Sequence, residues 1–212
     1  NQVSGNPMII SPNISTIYTL TSITDAKGCT NSLSNSAELT VNEIPNVIVS
    51  GDTEICDQDE TPVFFTFNSG EAPWTVTYSV ATAPSSITLY NTNDSILVNP
   101  NITTTYIITN ISDNNCSATL NEDVTITVNP LPQSIISGGG SVCDDGSTID
   151  VQITTIGGTP NYNISYNIGV TNKFMADVAS PLLISTNESG TYTLTEVIDS
   201  KGCVAQSLNG SA

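Results

Sequence analysis

Tyr192-Thr-Leu-Thr-Glu-Val-Ile-Asp-Ser-Lys-Gly-Cys203 is the last of three versions of one unit. The others are Tyr18-Thr-Leu-Thr-Ser-Ile-Thr-Asp-Ala-Lys-Gly-Cys29 and Tyr106-Ile-Ile-Thr-Asn-Ile-Ser-Asp-Asn-Asn-Cys116. Each version has Tyr, an apolar residue two on, Thr three on, an apolar residue five on and Asp seven on, and a Cys closes it. Cys29, Cys116 and Cys203 recur every 87 residues, and Cys56 and Cys143 keep the same interval. Side chains along a strand alternate between faces, so apolar positions at zero, two and five cannot share one face of a regular strand. The unit therefore predicts a β-bulge, or an exit from the core, between its second and fifth positions, a bulge leaving the closing Asp free to form a turn.

Working outward, Pro12-Asn-Ile-Ser-Thr-Ile-Tyr18 matches Pro100-Asn-Ile-Thr-Thr-Thr-Tyr106, and Leu39-Thr-Val-Asn-Glu-Ile-Pro45 matches Ile126-Thr-Val-Asn-Pro-Leu-Pro132. Three segments follow: residues 1–43 read as the C-terminal half of a β-sandwich repeat, 44–130 as a complete repeat, and 131–212 as a repeat lacking its last strand. On this reading the chain is a window onto a longer repetitive protein.

Within residues 44–130 the strand candidates are short and bounded by turn residues. They are 46–49, 63–67, 74–80, 87–90, 95–98, 105–111 and 124–128. Seven short strands without room for crossover helices predict an all-β fold, made of tandem immunoglobulin-like antiparallel β-sandwich modules of about 87 residues. The joining segments Asn42-Glu-Ile-Pro45 and Asn129-Pro130-Leu-Pro132 carry proline, which fixes φ and makes them semi-rigid spacers.

The chain has 212 residues, with three Lys, no Arg, no His and twenty Asp and Glu, giving a net charge of −17. Nucleic-acid binding rests on Lys and Arg neutralising phosphate, so that partner class is excluded, and an anionic membrane surface would repel the chain. No apolar run is long enough to span a bilayer. Without His or Arg the usual acid–base relays and oxyanion clamps lack their members, and no enzyme is expected. A carboxylate pair for glycoside hydrolysis would need a deep cleft that small tandem sandwiches rarely have.

Five regularly spaced cysteines in a β-rich chain point to an oxidising compartment and disulfides. Metal ligation is disfavoured, because no two cysteines lie two to four residues apart. Pairing within a module is the simplest connectivity: one disulfide each, Cys56–Cys116 and Cys143–Cys203, with Cys29 paired to a Cys upstream of Asn1. If Cys56 bonds Cys116, then Asp57 and Asp59 approach Asp113, and Asp144 and Asp145 likewise approach Asp199. Such converging carboxylates could hold calcium, the one cofactor considered, against the plainer reading that Asp favours exposed turns.

Trp74 is the single Trp, and Tyr162 takes its place one repeat later, with Tyr78 and Tyr166 four residues on in each copy. These rings are either a sugar-stacking platform or core. The alternation of Trp74, Val76 and Tyr78 favours core.

The combination Leu131-Pro-Gln-Ser-Ile-Ile-Ser-Gly138 leading to Val142-Cys143, then Gly158-Thr-Pro160, then Tyr192-Thr-Leu through Asp199-Ser-Lys-Gly-Cys203, resembles the immunoglobulin-like or PKD-like repeats of giant Bacteroidota surface proteins. Gliding-motility adhesins exported by type IX secretion are among them. The chain departs from that pattern where Asp57-Gln-Asp59-Glu60 and Asp144-Asp145-Gly146 follow the first Cys, and where Gly is missing before Cys116. The resemblance implies a secreted protein of the bacterial cell surface serving as an adhesin stalk or filament, with neighbouring repeats of the same chain as its partners. Asp94-Ser95-Ile96 fits the Asp-Ser/Thr-apolar acceptor pattern of O-glycosylation in that phylum, on an expected exposed turn. The rival expectations are a module binding polysaccharide or another surface protein through its end loops, and a lattice or sheath joined through edge strands. Burial of Trp74 and Tyr162 would favour the stalk over the sugar-binding module.

Overall fold

The computed structural model describes residues 9–212. The first unit is a two-stranded antiparallel hairpin, β1 (Thr16–Thr24) with β2 (Thr30–Leu39). Its side chains are largely exposed, Ile17, Leu20 and Ile23 among them.

The second unit is a sandwich of two sheets. One sheet orders β3 (Asn46–Ser50), β5 (Thr61–Ser69) and β8 (Asn93–Val98). The other orders β4 (Thr53–Cys56), β10 (Ser117–Asn129), β9 (Thr104–Ser112), β6 (Trp74–Val80) and β7 (Ala83–Leu89). Val63, Phe65 and Phe67 on β5 face Trp74 and Val76 on β6, Ile108 and Ile111 on β9, and Val124 and Ile126 on β10, all within one buried core. The strict alternation of burial along β5 is the period-two pattern of a strand with one face in the core.

The third unit repeats the plan with β11 (Gln133–Gly138), β12 (Ile149–Ile156), β15 (Leu182–Thr186) and β17 (Ser207–Asn209) in one sheet. The opposing sheet holds β13 (Tyr162–Ile168), β14 (Thr171–Val178) and β16 (Tyr192–Asp199). Ile136, Val151, Ile153, Tyr162, Ile164, Tyr166, Tyr192 and Val197 form its core. Among the described residues no helix is long and apolar enough to cross a membrane.

The bulge falls where the parity argument places it, in all three copies. β1 slips register between Leu20 and Ser22. Opposite β6, Thr77 pairs with Asn110 but Tyr78 pairs with Ile108, leaving Thr109 as the extra residue of β9. Opposite β13, Thr195 is skipped in the same way. The skipped residue is the Thr of the repeated unit each time. Its consequence is that Ile108 and Ile111, three apart, are both buried, at 1% and 0% exposure.

Two features correct the sequence reading. The sheets are not wholly antiparallel, because β4 runs parallel to β10 and β17 runs parallel to β11. The strand β4, Thr-Glu-Ile-Cys, carries too short a pattern to be seen as a strand, and its pairing comes entirely from the neighbouring β10.

Candidate functional site at the module boundary

Asp of the repeated unit is the first piece of the site. Asp199 is buried at the end of β16, and its Oδ1 accepts the amide N–H groups of Lys201 at 2.9 Å and Cys203 at 2.8 Å. Asp113 does the same with Asn115 at 2.8 Å and Cys116 at 2.7 Å, and Asp25 with Lys27 at 2.8 Å and Cys29 at 2.9 Å. This is the Asx-type cap that Asp favours in turns, and it sets where the following Cys points.

The second carboxylate oxygen reaches the loop that joins the two sheets, β12 to β13 in one module and β5 to β6 in the other. Asp199 Oδ2 accepts the Thr159 amide at 2.7 Å, and Asp113 Oδ2 accepts the Glu71 amide at 3.1 Å. Just before each of those amides stands a glycine with positive φ, Gly158 at 64° and Gly70 at 85°. A Cβ at Gly70 would lie 2.8 Å from the Pro45 side chain and 2.9 Å from Asp113 Oδ2. A Cβ at Gly158 would lie 2.9 Å from Asp199 Oδ2 and 3.0 Å from the Pro132 side chain. The linker proline, buried at both boundaries, is thus clamped on the glycine and the aspartate of the module that follows it. The backbone amides of Cys116, Asn115 and Glu71 hold the Asp113 carboxyl below its ordinary value.

Against this clamp lies the end of the preceding module. Asn129 ends β10 opposite Cys56 of β4, and the Asp57 amide donates to the Asn129 carbonyl at 2.9 Å. Cys56 is bonded to Cys203, 147 residues away, with Cα atoms 5.6 Å apart. Beside the bridge Lys201 Nζ lies 2.7 Å from Glu54 Oε2, and that hydrogen bond holds the Glu54 carboxyl below its ordinary value. The boundary therefore carries a disulfide, an ion pair and a proline clamp within a few residues.

The bridge overturns the expected pairing within modules. Neither Cys56–Cys116 nor Cys143–Cys203 forms, and there is one disulfide in all rather than one in each module. The reason is distance along strands. Cys56 faces the far end of β10, whereas Cys116 immediately precedes its start, and thirteen residues of strand at ~3.3 Å each separate the two ends by roughly 40 Å. A disulfide needs Cα atoms within about 7 Å. Cys143 and Cys203 are likewise at opposite ends of the third module: Cys143 lines a groove with Tyr192, which opens β16, and Cys203 follows its close. Cys29, Cys116 and Cys143 are free thiols here.

With the intramodule bridges gone, the six carboxylates considered for calcium do not converge. Asp57, Asp59 and Asp199 lie toward the bridged boundary, Asp113 caps the opposite end of its own module, and Asp144 and Asp145 follow Cys143 at the far end of the third. Both Asp113 and Asp199 are already spent on backbone amides, and Asp145 Oδ1 accepts from Ser147. Among the described residues no group of three or more His, Cys, Asp or Glu is placed to hold a metal ion.

Trp74 and Tyr162 are both buried, each 4% exposed. Trp74 stacks on Phe67 with ring centroids 4.3 Å apart, and its Nε1 is buried without a partner among the described residues. Tyr162 fits the same slot but its hydroxyl reaches the Gly157 carbonyl at 2.8 Å. Tyr78 and Tyr166 pack against Tyr106 and Tyr192, the tyrosines of the repeated unit. Ser95 is exposed, but it lies within edge strand β8 opposite Phe64 rather than on the turn before it.

No family model matches the chain, and no curated protein matches it. Among solved structures it is similar to the N-terminal eight immunoglobulin domains of Down Syndrome Cell Adhesion Molecule, isoform 1.30.30, at 13% identity and a TM-score of 0.49. That likeness covers 96% of this chain and 35% of the other, so the chain spans about a third of its length. The fold itself is a succession of two-sheet β-sandwiches, with one disulfide across the boundary between two of them.

Proposed function

We propose that the chain is a load-bearing segment of an extracellular stalk or filament on a bacterial cell surface, in which neighbouring sandwiches are fastened to one another. The observation that carries this reading is the Cys56–Cys203 bridge across a module boundary. A disulfide inside one domain stabilises that domain, whereas one between domains restrains their relative motion, which is the default for modules joined by short linkers. The proline clamp and the Lys201–Glu54 pair act on the same boundary. The two buried aromatic rings support a stalk over a sugar-stacking module, since neither offers a face to a ligand. A net charge of −17 supports lateral repulsion between neighbouring filaments.

Under tension applied at the two termini, the force path runs from Cys56 through the bridge to Cys203 and bypasses residues 57–202. Single-molecule extension tests this. The oxidised chain should yield without unfolding steps from residues 57–202, and reduction should release roughly 500 Å of additional contour length, at ~3.5 Å per residue. Equal release in both redox states would sink the reading.

A further inference from the structure

We infer that the end of the third module carrying Cys143 is an open half of the same boundary, and that its partner is another module of this repeat, entering first as a β-strand and then as an Asp-capped turn ending in Cys. The inference rests on the observed bridge and not on the mechanical reading above.

Ser141-Val142-Cys143 stands 87 residues after Glu54-Ile55-Cys56, and Gly138 after Gly51, both with positive φ. In the second module that segment is β4, held against the last residues of β10, with Thr53 to Cys56 paired to Ile126 to Asn129. In the third module the same segment lines a groove of ≈ 430 Å³ together with Asn187, Glu188, Tyr192 and Ala212. Ala212 exchanges both backbone hydrogen bonds with Tyr192, at 2.8 and 3.1 Å, in the place where Val124 pairs with Tyr106. The groove is therefore the slot that Thr125–Asn129 fill one module earlier. A strand entering it would pair with 140–143 on one side and the residues just before β16 on the other, as Thr125 and Ile126 pair with Thr105 and Thr104. It would also carry the chain past Cys143 as β10 carries it past Cys56.

The complementary half is visible at the other boundary. Cys116, capped by Asp113, occupies the position of Cys203, and its Sγ lies 3.9 Å from the carbonyl of Asn42. Asn42 is the counterpart of Asn129, the residue opposite Cys56 in the closed bridge. Cys116 thus waits where the first cysteine of a preceding module would lie, and Cys143 waits where the second cysteine of a following module would lie. The general rule is that the first cysteine of each module bonds the second cysteine of the next.

The test extends the chain with its own sequence. A second copy of residues 125–212 appended after Ala212 supplies the strand, the linker and a further module. After oxidative refolding, non-reducing peptide mapping should show two crosslinks, Cys56–Cys203 and Cys143 to the appended copy of Cys203. Cys143 should alkylate readily in the 212-residue chain and at least about tenfold more slowly in the extended one, because bonded and enclosed sulfur is not a thiolate nucleophile. A Cys143→Ser version of the extended chain should keep the first crosslink and lose only the second. The inference is overturned if Cys143 stays alkylatable or bonds Cys203 or Cys116 in the extended chain, and equally if Cys56–Cys203 does not form there. Success of the crosslink map alongside failure of the extension experiment would remove the load-bearing role and leave the boundary rule standing.

Discussion

Gly158 stands so close to Asp199 that a single added Cβ would come within 2.9 Å of the carboxylate oxygen Oδ2. That oxygen accepts the amide of Thr159 at 2.7 Å, so it has no freedom to retreat without losing a bond to a partly buried donor. Gly202 also has positive φ but meets nothing within 4 Å. Gly202→Ala should therefore cost only the conformational penalty, about 1–2 kcal/mol. Gly158→Ala should cost more, because the clamp on Pro132 must open as well. Thermal melts of the two variants against the parent check the order, and equal melting temperatures for both variants would remove the clamp from the account.

Asp113 gives a pH signature. Its folded carboxyl titrates below the ordinary value of 3.8, chiefly because the amides of Cys116, Asn115 and Glu71 favour the charged form. A carboxyl depressed on folding stabilises the fold above its unfolded pKa and loses that contribution as pH falls through the folded one. Asp113→Asn should accordingly be less stable than the parent at neutral pH, with the difference fading below about pH 4. Trp74 is the sole Trp and lies in the core of the same module, so its fluorescence reports that unfolding directly.

The two boundary cysteines should behave unequally. Under the chain-entropy description, closing a loop of 147 residues contributes about 5 kcal/mol. Cys203→Ser should remove most of that, and chemical denaturation should show a second transition as the sandwiches uncouple. Cys116→Ser should leave both midpoint and cooperativity where they were, since its sulfur is a free thiol. Matched losses in the two variants would favour pairing inside the module after all.

Trp74 is stacked on Phe67, and its truncation to Ala should cost about 3–5 kcal/mol, as for other large buried aromatics. Trp74→Tyr should be far milder. Tyr fills this slot in the next module, and the indole N–H that it replaces has no partner to lose. Urea titrations of the two variants followed by far-ultraviolet circular dichroism distinguish them.

The parity of the repeated unit calls for an irregularity between its second and fifth positions, and the structure has it at Thr21, Thr109 and Thr195. That parity depends on local sequence alone. The bridge was not legible because a disulfide depends on which strand ends meet in space. The segment Thr-Glu-Ile-Cys has no signal of its own that it becomes a strand running parallel to β10. Without that strand, Cys56 is free to be assigned to the wrong end of its module. The separation of 147 equals one period plus the 60 residues between Cys56 and Cys116, so the arithmetic admitted both pairings. What it lacked was the length of β10. The clamp had a faint signal in the glycine that begins both Gly70-Glu-Ala-Pro73 and Gly158-Thr-Pro160, each answered by the Asp seven residues after the Tyr of the repeated unit.

The bridge from Cys56 to Cys203 also encloses the joining segment Asn129-Pro130-Leu-Pro132 in a covalent ring. A protease that cuts the exposed Pro130 region, or any loop between residues 57 and 202, opens the ring without parting the chain. Both fragments remain tied through sulfur. A chain built this way survives a nick in the joining segment, and comes apart there only when cut and reduced together.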